Sequence, residues 1–218
     1  MKRQLLNALV VGVLLFSGTG ATLADDLVLP PWVRGTDPGT TFAEWLFLTP
    51  QTQPPPDQVI NPYGVPTALV APSPLNPRPY TPLDVPSGRE GIWSLAGVIS
   101  LTIPNRPDPS ETKWIWLQVT WRDTPGLPKT GLIVGASDPA GSPATIEGFS
   151  SQVLPAGWNW SGYWMAIRPN PLYETITIAG FVDVDQVVVD TQCIPEPSTL
   201  ALFGLVGAAA AGTFRRRK

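Results

Sequence analysis

In Lys113-Trp114-Ile115-Trp116-Leu117-Gln118-Val119-Thr120-Trp121 the side chains divide by strand alternation into two sets. Ile115, Leu117, Val119 and Trp121 share one face, and Trp114, Trp116, Gln118 and Thr120 share the other. Such a run is apolar on both sides over much of its length and belongs in the middle of a covered sheet. Upstream, Trp93, Leu95, Ile99, Leu101 and Ile103 alternate with Ser94, Ala96, Ser100 and Thr102, which predicts a half-buried strand over residues 92–103. Asn105-Arg106-Pro107-Asp108-Pro109 turns the chain between the two.

Further strands are predicted at residues 130–136, 144–154, 160–167, 174–180 and 182–190. Turn clusters such as Asp138-Pro139-Ala140-Gly141 and Pro169-Asn170-Pro171 separate them. About eight strands at this spacing predict an antiparallel β-sandwich, jelly-roll-like in outline. The first third differs. Fifteen prolines lie within residues 30–86, so this region is expected to be looped or extended, with one strand candidate at residues 41–48 and a turn at Asn61-Pro62-Tyr63-Gly64. Its aromatic residues point to a loop lying across a sheet.

Composition supports an all-β chain. Of 218 residues 27 are proline and only 14% are charged, against a usual charged share of about 25%. Nine Trp, seven Phe and four Tyr supply the core. No His is present, which excludes imidazole bases, Ser-His-Asp and Cys-His sites and His-ligated zinc. A single Cys excludes an intramolecular disulfide framework. Residues 25–193 carry sixteen acidic and eight basic side chains, a balance unsuited to nucleic acid, whose binding needs basic surfaces.

Both ends read as targeting segments. Met1-Lys2-Arg3 is a basic start, residues 5–16 are apolar apart from Asn7, and Thr22-Leu23-Ala24 precedes Asp25-Asp26. This pattern predicts a signal peptide over residues 1–24 with cleavage after Ala24 by signal peptidase. A dozen apolar residues span only about 18 Å, short of a bilayer core. At the far end Pro195-Glu196-Pro197 precedes an apolar, small-residue run and the terminal Arg215-Arg216-Arg217-Lys218. This tripartite tail resembles the PEP-CTERM sorting signal, recognised by an exosortase. The resemblance covers residues 194–218 and implies a short transmembrane helix at about 198–214, processing at or near Pro195-Glu196-Pro197, and release or re-anchoring outside the cell. The terminal cations hold that end on the cytoplasmic side, because carrying them through lipid is costly. The precursor is then inserted in the inner membrane only through this helix, and residues 25–193 form the exported domain.

The final strand, Val184-Asp185-Gln186-Val187-Val188-Val189-Asp190, resembles the closing strand of galactose-binding-like jelly rolls. The body as a whole resembles other exosortase-sorted proteins, a likeness that implies no activity.

Candidate chemistry is open at several places. Trp114, Trp116 and Gln118 are either core or a glycan platform, since indole faces stack on sugar rings while an amide reads hydroxyls. Trp158, Trp160, Tyr163 and Trp164 form a second aromatic group. Asp183, Asp185 and Asp190, or Asp25, Asp26 and Asp37, suit calcium if any metal binds; the expectation is no metal site. Glu44, Glu90, Glu111, Glu147 and Glu174 are the carboxylates open to a glycosidase, but scattered acids on an exported surface need no catalytic explanation, and no catalytic residue is expected. Cys193 is either an exposed thiol able to bridge chains or a passive strand-end residue. The expected role is structural or adhesive at the cell surface or in the extracellular matrix, with a carbohydrate-binding module for extracellular polysaccharide as the alternative.

Overall fold

The computed structural model describes residues 26–73, 79–106, 108 and 111–195. The signal-peptide prediction with Ala24, the sorting helix, Glu196, Pro197 and the basic residues Arg215, Arg216, Arg217 and Lys218 fall outside them. Among the described residues no helix is long and apolar enough to cross a membrane.

The described chain is all-β, in two antiparallel sheets. The longest strands are β7 (Glu111–Asp123) and β12 (Val182–Pro195), which pair along almost their full length in the larger sheet. On the far side of β7 come β10 (Asn159–Ile167) and then β9 (Thr145–Val153) at the edge. Beyond β12 lie β1 (Thr40–Trp45) and β2 (Gln58–Ile60). The start of β12 also pairs with β5 (Arg89–Ser94), which carries β4 (Tyr80–Asp84) outside it. The smaller sheet runs β3 (Thr67–Ala71), β6 (Gly97–Pro104), β11 (Tyr173–Gly180), β8 (Ile133–Ser137).

The two inner faces enclose one core. Trp45, Trp93, Ile115, Leu117, Val119, Met165, Val187 and Val189 come from the larger sheet, and Val70, Ile99, Leu101, Ile103, Ile176 and Ile178 from the smaller. Each such side chain contributes about 1.5–3 kcal/mol when removed from water. β7 is central and covered on both faces, as its two-sided pattern predicts.

Two expectations are corrected. Residues 92–103 form two strands rather than one. The chain leaves β5 at Leu95 and Ala96, where Ala96 adopts φ +37°, and enters β6 in the opposite sheet. The alternation survives this corner because the same side of the chain faces the interior before and after it, so Trp93, Leu95 and Ile99 are all buried. The proline-rich third is also more ordered than expected. It supplies β2, β3 and β4 in addition to β1, and all three are edge strands. An edge has one row of amides with no ladder partner, so a proline such as Pro82 within β4 costs no hydrogen bond there. The part that does lie across a sheet is residues 26–38.

Candidate functional site

The outer face of the larger sheet carries the aromatic residues singled out by alternation. Trp116 of β7 stands opposite Trp164 of β10 and Asp190 of β12, and Gln118 stands opposite Gly162 and Val188. Trp32, Ile92, Trp116, Leu154, Trp158 and Trp160 form a second buried cluster there, with Trp114 and Trp164 half-buried against it. Gly162 makes room for this layer. A Cβ on it would lie 2.5 Å from the Trp116 ring and 2.8 Å from that of Trp160.

Residues 26–38 cross this face as a strap. The Trp116 indole N–H donates to the Val28 carbonyl at 2.8 Å, and the Val28 amide donates to Gln118 Oε1 at 3.2 Å. Gln118 Nε2 donates to Asp26 at 2.6 Å, while Trp160 Nε1 donates to Gln118 Oε1 at 3.1 Å. Arg34 joins strap to sheet by donating to both carboxylate oxygens of Asp190 and to Asp26, and its guanidinium lies 4.1 Å from the Phe42 ring centroid. Burial pushes the Asp190 carboxyl up to about 6, with Arg34 pulling it back. Trp116 and Gln118 are therefore buried, and the three-residue platform that included Trp114 is not open. An indole N–H and a side-chain amide on a sheet face demand partners, and the strap's backbone and Asp26 supply them. Trp114 keeps a partly exposed ring, 5.4 Å from Trp164 and with the Arg168 guanidinium over it at 5.7 Å.

The acids proposed for calcium have other partners. Asp183 accepts from Arg122 and Asp185 from Arg89, and both guanidinium groups stack on Trp158. Arg122 also reaches Asp84 at 2.8 Å, which fastens β4 to the start of β12. Asp37 accepts from the Val33 amide, and Asp25 lies outside the described residues. Among the described residues no three metal-ligating side chains converge.

Of the five glutamates, Glu44 accepts from Gln186, Glu111 from Arg106 and Glu147 from Arg168, while Glu174 lies beside Lys113. Cys193 is buried, so the exposed-thiol reading fails: in register opposite Lys113, its side chain points into the sandwich, where burial raises the thiol above its ordinary range. Sequence reasoning considered Asp26 only for calcium and missed its part in anchoring the strap, along with Trp32, Arg34 and a fully buried polar cluster around Lys113. Lys113 is in phase with Ile115, Leu117 and Val119 along the strand, which is the signal that could have placed it inward.

β12 does not stop at the edge of the fold. Ile194 and Pro195 still pair with Thr112 and Glu111 of β7, so the central ladder ends at the first residue of Pro195-Glu196-Pro197. A family model described as the PEP-CTERM protein-sorting motif matches residues 194–218. This chain carries a PEP-CTERM sorting motif. The motif marks an exported protein that is held at the membrane and then processed, with exosortase as the processing partner. No curated protein and no solved structure matches the chain.

Proposed function

We propose that the chain is a structural or adhesive protein of the cell surface or extracellular matrix, delivered by its PEP-CTERM motif and carrying out no turnover of an external substrate. The observation that supports this most is the direct run of β12 from the centre of the sandwich into the motif, which makes the folded domain the cargo. The nested pairing of β5 with β12, β6 with β11 and β7 with β10 fits a jelly-roll-like wrap, from which β9 departs by pairing with β10. Among the described residues β9 has no strand on its outer side, and it exposes Ile146, Phe149 and Val153, a surface suited to contact with other matrix components. Fractionation of cells with and without exosortase tests the reading. Matrix-associated protein lacking Arg215 to Lys218 only in competent cells is expected; equal membrane retention in both would overturn it.

A second reading, carbohydrate binding, is favoured by the Trp114–Trp164 pair at the rim of the aromatic layer. It predicts retention on extracellular polysaccharide that Trp114→Ala abolishes without loss of folding.

A further inference from the structure

At the end of the sandwich where β12 leaves for the sorting motif, four polar residues point into the core. Lys113 is the third residue of β7, Glu174 lies in β11 of the opposite sheet, Cys193 lies near the end of β12, and Asn105 follows β6. The Lys113 and Glu174 side chains have no solvent exposure. Lys113 Nζ donates to Asn105 Oδ1 at 2.9 Å and lies 3.6 Å from Glu174 Oε1. Neither carboxylate oxygen of Glu174 has a hydrogen-bond partner, although both are buried. Asn105 Oδ1 also accepts from the Arg106 backbone amide at 2.8 Å and from the Cys193 thiol at 3.2 Å. Asn105 Nδ2 donates to Asn170 Oδ1 and to the Pro171 carbonyl. Glu111 and Arg106 pair with each other at the mouth of this cluster.

A buried ammonium and a buried carboxylate that lacks donors are expensive to keep charged. An amine held against an amide carbonyl has a high effective concentration for attack on the carbon one bond beyond. The amide oxygen here already faces two further donors, placed where negative charge would develop.

We propose that Lys113 and Asn105 join as an intramolecular isopeptide bond, with Glu174 as the proton carrier. Lys113 passes a proton to Glu174, and its neutral Nζ attacks Asn105 Cγ. The Nζ–Cγ bond forms as the Cγ–Nδ2 bond breaks. One amine hydrogen moves to the departing nitrogen, and the proton on Glu174 follows it, so that ammonium leaves and the carboxylate is restored. No oxidant or reductant is required. Burial raises Glu174 to about 7, with Lys113 pulling it down, so the carboxyl both accepts and returns a proton near neutral pH. The bond would fasten the end of β6 in one sheet to the start of β7 in the other, at the corner from which the chain is tethered.

Mass spectrometry of the full chain tests this. The chain should be lighter by one ammonia than its sequence requires. Trypsin does not cut at Arg106, which precedes Pro107, and cannot cut after an acylated Lys113. Residues 90–122 should therefore appear as one peptide lacking one ammonia, with no backbone fragments between Asn105 and Lys113. Separate peptides 90–113 and 114–122 at full mass from folded wild-type protein would overturn the proposal, and so would ammonia loss with normal cleavage after Lys113, which marks cyclisation of Asn105 on its own backbone. Glu174→Gln, close to isosteric, should fold with full mass and normal cleavage; a cross-linked Glu174→Gln protein would remove Glu174 from the chemistry. Lys113→Arg, if folded, should likewise keep its full mass.

Discussion

Trp116 shows why a two-sided strand pattern does not by itself separate core from binding surface. Its ring is packed between Trp160 and Trp164 and its N–H is held by the Val28 carbonyl, so truncation empties a filled space and leaves that carbonyl without its donor. Trp116→Ala should destabilise the domain by about 3–5 kcal/mol, a large part of a typical total near 5–15 kcal/mol. Gly162→Ala should act in the same direction because its Cβ would strike two ring systems. Thermal melts of both variants check this, and unchanged melting would mean the aromatic layer is loosely packed. Charge gives a second residue-level expectation. Glu174 titrates near 4.5 when unfolded and is pushed up to about 7 when folded, so the folded state holds an extra proton between those values. Stability should then fall as pH rises from about 4.5 to about 7. Asp190, raised from 3.8 to about 6 by burial, adds to the same trend over its own window. Melting temperature should be higher at pH 5 than at pH 7, and Glu174→Gln should weaken that slope; a slope unaffected by the substitution would remove Glu174 as its source.

Among the elements, alternation revealed the strands that are covered on at least one face by another sheet. β6, β7, β10, β11 and β12 were legible because inward and outward side chains differ in kind. β2, β3 and β4 were not, since short edge strands among prolines carry little alternation, and the β5–β6 corner was hidden because alternation passes through it unbroken. The strap was legible only as an aromatic-bearing segment that needed a surface to cover. Its anchoring has a measurable consequence. Removing residues 26–34 should bring the Trp116 and Trp160 rings into water, shift tryptophan emission to longer wavelength and lower the melting temperature. Arg34→Ala should produce part of that loss, because Asp190 would be left buried without its cation. Emission unchanged by the deletion would show that the outer layer closes without the strap.

For the whole molecule, the junction between domain and sorting motif sets the order of events. The sorting signal was legible from its three parts alone, whereas its continuity with the central ladder required the register of β12 on β7. Pro195 is paired with Glu111, so a protease or transpeptidase acting at Pro195-Glu196-Pro197 meets a strand end held in a sheet, with no slack between fold and motif. Extended substrates enter active sites as free backbone, so the last β12 pairs must open first, at a cost of about 0.5–1.5 kcal/mol for each hydrogen bond broken. A flexible insert within β12 achieves that release in advance. A Gly/Ser segment of several residues between Pro195 and Glu196 would interrupt the motif itself; placed between Gln192 and Cys193, it takes Cys193, Ile194 and Pro195 off β7 and leaves the motif intact. Pulse-chase analysis in exosortase-competent cells should show faster loss of the basic tail from this variant than from the wild type. Equal rates would mean that the end of β12 is already open when the enzyme arrives, and that the step limiting maturation lies elsewhere in export.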